Sequence, residues 1–217
     1  MVPYTVTTTV LTNDSNGVAE SQSPGSDALT LDGALVSGGV ATCAEAQIIT
    51  LTSGGDDRGI TLDVVGTDAD GQSTSEDVTG ANAGAAVTTK HFKTVSSITP
   101  SGGIAGTIYA GPVAANGGAT ATFRVNRNQP NFKLGLYVEI PSGSTANVTA
   151  QFSPDYPESG DWSSTSYSNN ADWRAVDGLS AVTATDESNI AFNVECVRLL
   201  LNSNSGGGVT FTSQQGY

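Results

Sequence analysis

A chain of 217 residues is long enough for one large β-domain or two small ones. It is 37% hydrophobic but only 6% aromatic and 13% charged, and its 8 basic residues face 21 acidic ones for a net charge of −13. This excludes a disordered acidic tail, which would be poorer in apolar residues, and with 26 Gly it excludes a helical bundle; lacking a basic stripe, it also excludes partners that are nucleic acid or anionic membrane.

The chain opens on Thr5–Leu11, a Thr/Val-rich alternating run that predicts a strand. Asn13–Asp27 is polar and rich in Asn, Ser, Gly and Pro, the composition of a loop, so residues 1–28 are expected to form an extended arm. An edge strand on such a tether seeks a sheet to join. Thr5, Val6, Thr8 and Val10 are therefore the candidate partner-binding residues, through strand addition to a neighbour or pairing within the same chain.

Gly33–Val36 and Val40–Thr42 flank Gly38-Gly39, a hairpin signal. Gln47–Thr52 and Gly59–Gly66 read as strands around the turn Ser53–Asp57. Asp68-Ala69-Asp70-Gly71 is a second turn, leading into strands at Ser73–Thr79, Phe92–Thr99 and Thr107–Ala110. Thr120–Val125 closes the first half, and the polar stretch Asn126–Asn131, with Pro130, marks a boundary. Beyond it the alternation is cleaner: Leu134, Leu136, Val138 and Ile140 share a face, as do Ala146, Val148, Ala150 and Phe152. A loop from Ser153 to Asp172 carries Tyr156, Trp162 and Tyr167. Strands through Val197, Leu199 and Leu201 and through Val209 and Phe211 follow, separated by a Gly-rich turn. No segment has a capped 3.6-residue period. The expectation is an all-β protein with two β-sandwich modules, Ig-like or jelly-roll-like, at residues 29–126 and 127–217 behind the arm.

Chemistry is sparse. His91 is the single histidine, and no motif supplies it with a nucleophile and an orienting carboxylate. Zinc spacing is absent, and Cys43 and Cys196 each sit in an apolar run, as buried thiols do. Asp68 and Asp70, near Asp56-Asp57, are calcium candidates by residue type, but the EF-hand spacing fails and Asp before Gly is turn chemistry. Asp155, Glu158 and Asp161 invite a paired-carboxylate reading, with turn-forming carboxylates as the simpler one. Trp162, Tyr167 and Trp173 offer either a sugar-binding face or loop packing. No catalytic set, cofactor or metal is expected. No apolar run reaches 18 residues, and Met1-Val2-Pro3-Tyr4 does not begin a secretory signal.

The stretches Leu29–Ala41, Ile49–Ile60 and Val65–Gly84, with Lys90-His91-Phe92-Lys93-Thr94-Val95-Ser96-Ser97-Ile98, resemble structural proteins of tailed bacteriophages. The C-terminal part is similar to a second module of phage particles. There a tryptophan (here Trp173) precedes a strand, and Val197-Arg198-Leu199 precedes a Gly-rich hairpin ending in Gln214-Gln215-Gly216. The resemblance runs from about Leu29 to the end and rests on strand-and-turn patterns. It implies a non-enzymatic virion protein that decorates or cements the capsid, is made in the host cytoplasm, forms a homo-oligomer and binds the major capsid protein or other virion proteins. The alternatives are a neck, tail or fibre-associated component, or a carbohydrate- or receptor-binding module built on the Tyr156–Trp173 loop.

Overall fold

The alternation in the sequence becomes strand wherever one face can be buried. The computed structural model describes residues 3–126, 132–155 and 167–216, and the protein is all-β with antiparallel sheets. In chain order the first strands are β1 (Tyr4–Thr7), β2 (Ala19–Gln22), β3 (Val36–Ser37), β4 (Val40–Gln47), β5 (Ile49–Ser53) and β6 (Thr61–Thr67). Next come β7 (Ser73–Thr79), β8 (Ala85–Val87), β9 (Phe92–Pro100), β10 (Ile108–Pro112), β11 (Gly118–Ala119) and β12 (Phe123–Arg124). The last are β13 (Leu134–Glu139), β14 (Ala146–Ser153), β15 (Arg174–Ala175), β16 (Asp186–Ile190), β17 (Cys196–Asn204) and β18 (Thr210–Gln215). The only α-helical turn among the described residues is α1 (Tyr167–Asn170).

Three sheets form. One has the order β1-β18-β13-β16, and a second β2-β10-β5-β8. The third runs β15-β14-β17-β11-β4-β9-β6-β7, with β12 added on β17 and β3 on β4. The hairpin expected at Gly38-Gly39 is present: Val36 pairs with Ala41 and Ser37 with Val40, and both glycines have positive φ, 61° and 81°. Chain that reads as adjacent strands can change sheet. β4 ends at Gln47 in the third sheet, and β5 begins at Ile49 in the second.

The first sheet and the β14–β17 end of the third enclose one apolar cluster, which includes Leu134, Leu136, Val138, Val148, Val197, Leu199 and Phe211, with Phe152 partly buried against it. The second sheet and the β4–β9–β6–β7 end of the third enclose another, around Leu51, Leu62, Val64, Phe92, Ile98 and Ile108. The third sheet runs past both. Its link is β11, whose two residues pair with Leu201 and Leu200 on one side and with Gln47 and Ala46 on the other. A Cβ on Gly118 would lie 2.7 Å from Leu11 Cδ2 and 2.9 Å from the Ala46 carbonyl oxygen, so glycine is what lets these segments close.

Two expectations about organisation change. Residues 1–28 were expected as an arm, yet Tyr4–Thr7 is a strand of the first sheet and Ala19–Gln22 a strand of the second. Leu11 is buried in one cluster, Val18, Ala19 and Leu29 in the other. The few apolar residues in this polar stretch are spaced widely enough to reach both clusters. The expected boundary lies mostly outside the described residues, but just before it Val125 is buried with the C-terminal cluster, and Phe123 and Ala114 pack on that cluster too. No described helix is long and apolar enough to cross a membrane.

Candidate interaction surface

β1 lies at the end of the first sheet, with β18 on one side only. The register is Tyr4↔Ser213, Thr5↔Thr212, Val6↔Phe211 and Thr7↔Thr210. One step on, the Thr8 N–H donates to the Val209 carbonyl at 2.8 Å. Hydrogen-bonded pairs alternate with non-bonded pairs in an antiparallel ladder, so the amides of Tyr4, Val6 and Thr8 turn toward β18. Those of Thr5 and Thr7 turn to the open edge. The side chains agree with this phase: at the non-bonded pairs, where side chains come closest, the hydroxyls of Thr5 and Thr212 touch at 3.2 Å and those of Thr7 and Thr210 at 3.3 Å.

The four candidate partner-binding residues therefore separate. Thr5 is exposed on the edge, joined there by Thr7, which sequence reasoning passed over. Val6 packs against the C-terminal cluster. Thr8 is 2% exposed, and its hydroxyl accepts the Val209 N–H at 3.1 Å. Neither side chain is offered to a partner, because the protein's own core takes the apolar face of the strand. Val10 is 42% exposed but lies beyond the strand, at a cleft of about 470 Å³ lined also by Leu11, Asn13, Ala114 and Asn204. There the chain is strapped down: Thr9 N–H donates to Glu45 Oε1 at 2.8 Å, and Gln47 exchanges two hydrogen bonds of 2.9 Å with the Thr12 backbone. Tyr4 stacks on Phe123 with centroids 4.1 Å apart, and burial beside the Asp70 carboxylate raises its phenol pKa.

β1 carries no charged side chain, and neither does β8 at the edge of the second sheet, whereas β16 presents Asp186 and Glu187 and β7 presents Asp77. Charge on an edge is a common guard against unwanted pairing. β1 lacks that guard.

Asp68 and Asp70 serve the fold. Asp68 Oδ1 accepts the N–H groups of Asp70 and Gln72, both at 2.9 Å, closing the turn between β6 and β7. Asp70 Oδ1 accepts the Thr122 N–H at 2.6 Å, tying that turn to the segment before β12. Burial raises the Asp70 pKa, partly offset by Thr122. Among the described residues no three His, Cys, Asp or Glu side chains converge as metal ligands would.

The end of the long loop forms a second polar junction. Arg198, buried on β17, donates from Nε to Gln151 Oε1 at 2.9 Å and from Nη1 to the Ser168 carbonyl at 2.6 Å. Its guanidinium lies 4.1 Å over the Trp173 ring, whose Nε1–H donates to the same Ser168 carbonyl at 2.8 Å. One face of Trp173 is thus used in packing. Asn169 pairs with the His91 backbone as another strand would, accepting its N–H at 2.9 Å and donating to its carbonyl at 3.0 Å. Burial, then the Arg198 charge, push the His91 pKa down to about 4. Of the other candidates, Asp155 Oδ2 accepts the Asp172 N–H at 2.5 Å; Tyr156, Glu158, Asp161, Trp162 and the Tyr167 side chain lie outside the described residues. Cys43 and Cys196 are buried thiols that form no disulfide, and burial raises the Cys43 pKa to about 11.

No protein-family model matches the chain, and no curated protein does. Among solved structures, it is similar to allantoicase from Saccharomyces cerevisiae at 12% identity, with 82% of this chain and 76% of that one covered. The TM-score of 0.25 is too low for this likeness to carry any argument about function.

Proposed function

We propose that the chain is a non-enzymatic structural protein of a tailed-phage virion, which decorates or cements the capsid by pairing the open edge of β1 with a strand of a neighbouring virion protein. The observation that carries this reading is the uncharged edge itself, with the Thr5 and Thr7 backbone groups turned outward. Main-chain pairing of that kind supplies affinity without a pocket. The strand-and-turn resemblance supports a virion context, and a net charge of −13 would keep decorated particles apart. The partner is the major capsid protein or another copy in the shell.

Deleting the first 26 residues is not a clean test, since it would remove Leu11, Val18 and Ala19 from the two clusters. Proline is better suited. On an edge strand it is tolerated where its missing N–H faced solvent, so Thr5→Pro and Thr7→Pro remove outward donors and, apart from the exposed hydroxyl contacts to Thr212 and Thr210, spare the main-chain bonds to β18. Both variants should stay folded and fail to cosediment with particles assembled without the chain, while the parent protein binds. Undiminished binding of folded variants would overturn the reading. Gel densitometry of purified virions separates the alternatives: a decoration protein approaches the abundance of the major capsid protein, and a neck or tail component falls far below it.

A further inference from the structure

The outer face of the first sheet holds a glycine that the fold does not require. Gly135 lies mid-strand in β13, between Gln214 on β18 and Asn189 on β16. Its φ is not positive, and a Cβ built on it would meet only the Gln214 carbonyl oxygen, at an ordinary 3.6 Å. Neither backbone conformation nor close packing explains it, and a glycine inside a strand costs stability. What its missing side chain does provide is an open groove of about 160 Å³.

The walls of the groove are chemically mixed. Tyr137, 38% exposed, stands two residues along the same strand, flanked by Thr212 on one side and Glu187 on the other. Gln214 closes the end beside the glycine. Among the described residues neither the Glu187 carboxylate nor the Gln214 carboxamide is engaged in a side-chain hydrogen bond. An anion is disfavoured by Glu187 and by the charge of the whole chain. A hard cation would want several more oxygens than one carboxylate supplies. A neutral, hydroxyl-rich ring fits the set: its C–H face can lie on the tyrosine while its hydroxyls donate to Glu187 and exchange hydrogen bonds with Gln214 and Thr212.

We propose that this groove binds a single pyranose unit of a glycan, with Tyr137 as the stacking platform and Gly135 as the opening that admits the ring. The inference goes beyond the virion reading and does not rest on it, since it uses the face of the sheet and not the edge of β1.

The test is an amide NMR titration of the full chain with free glucose, galactose, mannose, N-acetylglucosamine and N-acetylgalactosamine. The expected result is that at least one sugar shifts the Gly135, Tyr137, Thr212 and Gln214 amides, with a Kd in the millimolar range. Tyr137→Ala should weaken that binding at least about tenfold. Gly135→Val should abolish it while raising Tm, because the valine fills the groove and stiffens the strand; Gly135→Ala, the smaller change, should weaken it with the same sign in Tm. No sugar shifting these amides, or binding that survives Tyr137→Ala and either Gly135 variant, would overturn the proposal. Loss of binding in the Thr7→Pro protein, whose lost hydroxyl touched Thr210 and not a groove residue, would overturn the separation of face from edge.

Discussion

The two apolar clusters differ in their rings, while buried polar groups fasten the margins of both. The C-terminal one is closed by long alternating strands and by rings, with Phe132 and Phe211 buried and Phe123 and Phe152 packed on its margin. The N-terminal one has Phe92 as its buried ring, and beside it the loops are fastened by buried polar groups. Asp57, fully buried, is one of them: its carboxylate accepts the Ala105 N–H at 2.7 Å and the Ser53 hydroxyl, tying the β5–β6 loop to the β9–β10 loop. Losing such a tether costs more than the bond itself, because the partner left behind is dehydrated and unpaired.

The largest effect should come from the apolar side of this comparison. Leu199→Ala removes a fully buried side chain and should lower unfolding stability by roughly 2–5 kcal/mol in denaturant titration. The transition should stay single, since β17 continues through β11 into β4; a second transition would show the clusters unfold separately. On the polar side, Asp57→Ala should cost about 1–3 kcal/mol by leaving buried donors unpaired. Asp57→Asn, which keeps an acceptor, should cost less by the same measurement, and equal losses would show that volume and not hydrogen bonding matters there.

A smaller effect should appear with pH at the junction of the two halves. The His91 pKa in the fold, about 4, lies below its unfolded value near 6.5, so the unfolded chain takes up the proton first. The His91 contribution to stability is complete above about pH 6.5 and is lost as pH falls toward about 4. Asp70 acts in the opposite sense: its raised pKa means that its ionisation works against the fold as pH rises through the carboxylate range. Thermal melts of His91→Gln should lose part of the decline between pH 6.5 and 4, and melts of Asp70→Asn should deepen it. The smallest change expected is Gly135→Ala, a gain of about 0.5–1 kcal/mol in the strand interior. A loss there would mean that the glycine serves packing after all.

How much of this could be read from the sequence follows the same division. Period-two alternation at Leu134–Ile140 and at Val197, Leu199 and Leu201 announced the C-terminal core; β13 buries that one face alone, while β17 buries Cys196 and Arg198 on its other face as well. The Gly38-Gly39 hairpin was legible from turn chemistry alone. What could not be read were long-range tethers made by ordinary polar residues. Asn169 substitutes for a strand against His91, Arg198 gathers Gln151, Ser168 and Trp173, and Asp70 reaches Thr122 across 52 positions. None of these has a local signature. The segment 1–28 was misjudged as a tether for a related reason: a few apolar residues among many polar ones suffice when they reach two different cores. At the candidate edge, the alternation of Thr5–Leu11 could not tell that the Val6 side of β1 belongs to this protein's own cluster. Nor could it show that Gly135 sits over empty space.

The central claim is that β1 presents an unpaired edge for docking, and residue-resolved hydrogen exchange tests it most directly. In the free protein the Thr5 and Thr7 amides should exchange rapidly, while those of Val6 and Thr8 are protected by β18. On particles decorated with the protein, Thr5 and Thr7 should become protected and Val6 and Thr8 stay as they were. Thr5 and Thr7 amides that exchange as fast on the particle as in solution would contradict the account.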